Sequence, residues 1–336
     1  MTKLRNILPL LLVAVAFSAC SEDDPATMTH YFNPVWTPDG STIVAGFVQE
    51  GTGLVSDVAP VSANWGDLAV MDFSSRTLRT VSMPDVATVH ALYSFDPSGT
   101  ALAFVQEGHI RFYDLNGSLL LDYLPAEGGS PVLMDFSNTG NSFVWIGGAV
   151  GDYSLNLTTY DAASWTVETE FTMADIESGS AVIALTLTGQ RSAAVRYDDG
   201  TVREYDFNAD LLNTFTTTPF TSPNPWQQRL MYVSGNQGRR LFARDAGGLH
   251  RFDLDAGAAR QLVFGSVVDM DVSGSRGSMV YETGTGDTWI ATMEGTPLTR
   301  IGPQNIMPRF SPADNGIASV ERLDVFTDSL HVFVLK

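Results

Sequence analysis

Along most of the chain, apolar residues fall into short runs of four to eight separated by turn-forming residues, and no window of useful length places them at i, i+3, i+4 and i+7. Short apolar runs bounded by Gly, Pro, Asn and Asp predict β-strands joined by tight turns. In "FNPVWTPDGSTIVAGFVQEG" (residues 32–51), Trp36 precedes a Pro-Asp-Gly turn that leads into Ile43-Val44-Ala45-Gly46-Phe47-Val48. Pro presets φ and Gly accepts positive φ, so the triplet alone predicts only a hairpin.

The pattern recurs. "LYSFDPSGTALAFV" repeats it, with Phe95 and Gly99 in the places of Trp36 and Gly40. Looser copies surround Gly140, Gly189, Gly238, Gly277 and Gly316, and the six intervals from Gly40 to Gly316 average 46 residues. That period suits one supersecondary unit, not a domain. In most units a second run follows and ends on an acid (Asp72, Asp114, Asp161, Asp206, Asp253), and a shorter strand comes after it. About four up-and-down strands per unit and seven units predict an all-β, seven-bladed propeller of four-stranded antiparallel blades.

The "WTPDG", "FDPSG" and "FSPADNG" turns, each leading into an apolar strand and then a strand ending in Asp, resemble the WD-like repeats of TolB-type propellers. The resemblance covers roughly residues 30–336. Only three of the seven units keep the proline, and the fourth to sixth keep little beyond the glycine. It implies a fold; propellers host enzymes, scaffolds and receptors alike.

The amino terminus breaks the repeat. "MTKLRNILPLLLVAVAFSAC" has Lys3 and Arg5, an apolar stretch from Ile7 to Ala16, then small residues before Cys20, the layout of a secretory signal too short to span a bilayer. "FSAC" resembles a lipobox, with Phe17 where Leu is usual, and the only cysteine of the chain follows it. Residues 1–19 are therefore expected to be a removed lipoprotein signal peptide, Cys20 to be acylated, 20–27 to be a tether and 28–336 the propeller. The acidic "SEDDPA" resembles the signal that Bacteroidetes-type lipoproteins carry for export to the outer face of the outer membrane; a solvated tether explains it equally. Either places the protein in the cell envelope, periplasmic or surface-exposed.

Net charge is −19, and lysine is limited to Lys3 and Lys336. Such a surface repels phosphate backbones, which argues against nucleic-acid partners, and membrane attachment has to come from lipid.

Candidate chemistry is sparse. The histidines (His30, His90, His109, His250, His331) are scattered without metal-ligand spacing, and His109 and His250 share a place before the strand that ends in Asp, which points to a structural role. No GxSxG elbow occurs. The acid pairs Asp206/Asp210, Asp253/Asp255 and Asp269/Asp271 lack a calcium-loop pattern and are expected to hold turn backbone. "YETGTGDTW" and "IGGAVGDY" have no helix after them and read as hairpin loops. No catalytic, metal or cofactor residue is assigned, and no cofactor is expected.

Two segments depart from the repeat: Gln49 to Asp67, inserted between the second and third strands of blade 1 and containing Trp65, and Thr216 to Trp226, between blades 4 and 5 and containing Phe220. Loop insertions on propellers tend to form binding surface, so Trp65, Phe220 and Trp226 are candidate binding-loop residues for an envelope protein or a glycan; packing against neighbouring blades is the competing role. The expected function is non-catalytic binding. The alternative is a polysaccharide lyase or hydrolase working in the central channel, which requires groups such as His90, Arg111, Arg196 and Arg309 to converge there. Ring closure is expected from "MTHYF" (28–32) pairing with Leu330–Leu335 to complete the last blade.

Overall fold

The computed structural model describes residues 13–15, 27–51, 67–83, 93–126, 129–136, 141–176, 179–189, 192–208, 210–220, 222, 225–236, 238–313, 315–322 and 328–335. They form seven four-stranded antiparallel sheets, each in simple sequential order except the last to close. The molecule is a seven-bladed β-propeller, and the one helical element among the described residues is a 3₁₀ turn, Pro225–Gln228.

The innermost strands of blades 1 to 7 are Thr27–Trp36, Tyr93–Phe95, Pro131–Phe136, Val182–Leu187, Met231–Gly235, Val267–Ser273 and Asn305–Phe310. Up-and-down order fixes two faces. One, here the upper, carries the links between blades and the hairpins joining second to third strands; the lower carries the other two sets of hairpins. Both segments that break the repeat therefore start and end on the upper face. Gly51 ends the second strand of blade 1 (Thr42–Gly51) and Asp67 begins the third (Asp67–Asp72), so Gln49 and Glu50 belong to a strand. Trp65 lies outside the described residues, as do Cys20 and His90.

Second strands are covered on both sides, which is why they read as continuous apolar runs instead of alternating; in blade 4 every residue of Ser192–Tyr197 is buried. Burial is organised by seam: seven apolar clusters each join two adjacent blades, as where Phe32, Val44 and Leu68 of blade 1 meet Leu102, Phe104 and Tyr113 of blade 2. Each blade thus stabilises two neighbours, and the described residues form seam clusters instead of one central core.

The repeated turns lock these seams. Gly40 has φ 69°, and a Cβ there would stand 2.8 Å from Ser311 Oγ and 2.9 Å from Ala313 Cβ in the matching turn of blade 7. Gly99 faces Pro38 of blade 1 in the same manner. Trp36 completes the seam by donating its indole N–H to the Arg309 carbonyl, 3.0 Å away in blade 7. The acids ending third strands hold the next turn, as expected for Asp206: Asp72, Asp114, Asp161 and Asp206 each accept backbone N–H groups two to four residues on.

Closure differs from expectation. Residues 28–32 belong to the innermost strand of blade 1, paired with Thr42–Gly51, and the strand runs on through a bulge at residues 33–34 to Val35 and Trp36. The fourth strand of blade 7 is instead Val13–Val15, antiparallel to Asp328–Val334 with Val13 opposite Val334 and Val15 opposite Val332. A Val-Ala-Val triplet suits a strand edge as well as it suits the apolar core of a leader, and both assignments use the same residues.

Candidate functional site in the central channel

Five of the seven innermost strands slip register against their second strands, and in two of them, those of blades 1 and 7, the slip falls on a left-handed non-glycine residue at the same level. Asn33 and Met307 have φ values of 46° and 53°, each precedes a proline, and the pairing register slips around each. Left-handed backbone at non-glycine residues is uncommon and bulges re-aim side chains, so these kinks mark the channel wall as specialised. The bulges touch: Asn33 N–H points at Met307 Sδ, 3.1 Å away.

The re-aimed Asn33 side chain becomes an acceptor for two arginines. Arg229, just before the innermost strand of blade 5, donates through Nη2 to Asn33 Oδ1 at 2.7 Å, and Arg309 Nη2 stands 3.4 Å from the same oxygen. Arg309 also pairs with Asp269 at 2.8 Å, with both side chains buried. A cavity of about 280 Å³ lies beside this cross-channel contact, lined among others by Asn33, Tyr93, Asp135, Thr186 and Arg229.

The other channel acids tie adjacent blades. Asp135 Oδ2 accepts from Thr186 Oγ1 at 3.0 Å and Leu187 N–H at 3.1 Å in blade 4. Asp271 Oδ2 accepts from Phe310 N–H at 2.7 Å, and Glu282 Oε2 from Met307 N–H at 3.2 Å, both in blade 7. Burial pushes Asp135 and Asp271 up to about 6 and Asp269 up to about 7; Arg229 opposes the rise at Asp269 and Asp271, and the N–H donors oppose it at all three. Tyr93 hydroxyl donates to the Asn33 carbonyl at 2.5 Å and accepts Gly46 N–H, and its burial raises its pKa. Asp269 and Asp271 thus sit in an innermost strand and bind across a seam, not in hairpin turns as the sequence suggested. Asp253 differs too, holding Arg240 and Arg251, while Asp255 accepts the Arg239 backbone N–H after the Gly235–Gly238 turn as well as its guanidinium.

The link between blades 4 and 5 runs along the upper face against the hairpins of those two blades. Phe220 is half-buried, with the Arg244 guanidinium carbon 4.2 Å and the Arg196 carbon 5.5 Å from its ring centre. Arg244 donates to the Gln227 carbonyl at 2.7 Å and to the Val267 carbonyl at 2.7 Å, while Arg196 donates to the carbonyls of Gln228 and Arg244 at 3.3 and 2.5 Å. Burial lowers both arginines to about 10, leaving them charged at neutral pH. Two buried cations therefore hold the 3₁₀ turn, and Arg229 follows directly from it. Trp226 belongs to that turn; its side chain lies outside what is described.

Of the groups considered for channel chemistry, Arg309 and Arg196 join this polar interior. Arg111 does not, since it lies in the third strand of blade 2 beside Asp122 at 3.3 Å. His109 and His250 pair with Asp122 and Asp245, and His331 with Glu321. Among the described residues no three His, Cys, Asp or Glu gather as a metal-ligand set, and no helix is long and apolar enough to cross a membrane. Sequence reasoning missed Arg229, Asn33 and Asp135; the Asn-Pro and Met-Pro dipeptides at matching positions of blades 1 and 7 were the available signal for the bulges.

No protein-family model matches the chain, and no curated protein matches its sequence. The class is set by the fold: a seven-bladed propeller with a polar, bridged channel.

Proposed function

We propose that this chain is an exported, lipid-anchored binding propeller of the TolB-like kind, which takes an envelope protein or a glycan on its upper face and performs no catalysis. The observation that carries the reading is the link between blades 4 and 5, where Phe220 lies against the Arg196 and Arg244 guanidinium groups, which in turn hold the 3₁₀ turn leading to Arg229. An aromatic group backed by fixed cations is a recognition surface in composition. The channel carboxylates favour binding over hydrolysis, because they accept N–H and hydroxyl donors across blade seams. Anchoring rests on the leader-like residues 1–19 and on Cys20.

The test replaces Trp65, Phe220 and Trp226 by Ala singly and measures both melting temperature and capture of partners or glycans from envelope extract. Loss of capture with the melt retained supports the reading. Loss of stability with capture intact makes these packing residues and removes the upper face as the binding surface.

A further inference from the structure

A second cavity, of about 420 Å³, opens on the lower face between blades 5 and 6. Its walls are the turns around Gly235 and Gly274 and the hairpin Thr292–Glu294, and its size suits a ligand of a few sugar rings or less. It does not touch the channel residues described above, and it was not foreseen from the sequence.

The charge there runs against the rest of the molecule. Glu294 is held by three arginines: its Oε2 is 2.6 Å from Arg251 Nη1 and 3.6 Å from Arg260 Nη1, and its Oε1 is 3.6 Å from Arg240 Nη1. Asp253 is shared between Arg240 at 3.2 Å and Arg251 at 3.0 Å. Three guanidinium groups thus face two carboxylates; of the three, Arg240 lines the cavity, Arg251 and Arg260 stand behind Glu294, and Arg276 adds a further cation on the wall, in a chain of net charge −19. Glu294 sits on an exposed hairpin, with its side chain 47% accessible, so it can leave without moving a strand. Its own carboxylate demonstrates that the arginine cluster holds such a group, and its pKa is lowered by the Arg251 hydrogen bond and the other guanidinium charges.

The remaining lining matches a sugar. Val233 and buried Met293 offer an apolar wall for C–H faces, and Asn236 and Ser275 offer hydrogen-bonding groups for hydroxyls. We propose that this groove binds an acidic saccharide, whose carboxylate is received by the arginines that now surround Glu294. The inference does not rest on the upper-face reading.

The probe is trigalacturonic acid, titrated calorimetrically into the full chain, with maltotriose as the neutral control and inorganic phosphate as the anion control. The acidic sugar binds, its affinity falls about tenfold or more between low and 0.5 M salt, and maltotriose and phosphate bind at least tenfold more weakly. Arg276→Ala, in an exposed turn, weakens binding at least tenfold. Glu294→Gln removes the internal competitor and strengthens it several-fold, with folding checked by its melt; if that variant does not fold, Arg276→Ala decides. Phe220→Ala leaves the titration unchanged, which separates this site from the upper face. Equal binding of maltotriose, phosphate binding as tight as the sugar, full affinity in Arg276→Ala, or no heat with the wild-type chain would each overturn the proposal.

Discussion

Arg229 and Asn33 are 196 positions apart and belong to blades 5 and 1, which are not neighbours, yet Nη2 of one is 2.7 Å from Oδ1 of the other. The contact therefore crosses the channel instead of following a seam, and it depends on a strained Asn33 at φ 46°. Asn tolerates left-handed backbone better than most residues. Asn33→Ala removes both that tolerance and the acceptor shared by Arg229 and Arg309, and it is expected to destabilise the fold by about 2–4 kcal/mol. Asn33→Gly, which restores only backbone freedom, should recover part of this in denaturant unfolding. Equal losses in the two variants would show that backbone strain is immaterial there.

Gly40 and Gly277 offer a controlled comparison, since their φ values are 69° and 62° but only Gly40 faces a neighbouring blade. Alanine at Gly277 meets nothing within 4 Å and carries the left-handed penalty alone, about 1–2 kcal/mol. Alanine at Gly40 must also displace Ser311 and Ala313, which adds about 1–3 kcal/mol. Thermal unfolding of the two variants measures the difference as the value of seam packing. Matching melts would mean that the hairpins do not interlock.

The contrast between these sites explains how much was legible in the chain. Turn glycines and the acids after third strands announce themselves, because an Asx turn is made by residues two to four apart; Asp72 with Ser74 and Ser75 is a case where sequence neighbours are also partners. Asp269 carries the same side chain, but its partner Arg309 comes from another blade, so the residue type could not reveal the role. Arg229 was hidden for the same reason. The Trp36 position was conspicuous in the repeat, whereas its purpose, an N–H held by a carbonyl of blade 7, needed the ring to be closed first.

Asp271 and Asp135 set a pH dependence. Their folded pKa values of about 6 lie above the usual carboxylate range of about 4, so the folded state binds more protons than the unfolded one between those limits. Stability from these two groups is full below about pH 4 and is lost as pH rises through about 6. Asp39, Asp72 and Glu294 are shifted down and act oppositely, but only in more acidic solution. Asp271→Asn keeps an acceptor for Phe310 N–H and cannot titrate. Its melting temperature should fall less between pH 5 and 8 than that of the unaltered chain; parallel curves would assign the dependence elsewhere.

If residues 1–19 are removed as the proposed leader, the strand Val13–Val15 cannot complete blade 7. Its register places Ala14 opposite Phe333, and Phe333 lies in the seam cluster with Phe310 and Ile317. A chain beginning at Cys20 leaves Asp328–Val334 as an unpaired edge, with backbone donors and acceptors open to water or to another strand. Three residues of pairing are a small part of a ring held by seven seams, so the shortened chain should still fold, with a lower melting temperature. Amide exchange, compared with a full-length Cys20→Ala chain that retains the segment, should rise between residues 328 and 334 and little elsewhere. Identical exchange and identical melts would mean that Val13–Val15 adds nothing to closure, and blade 7 would then be complete in function with three strands.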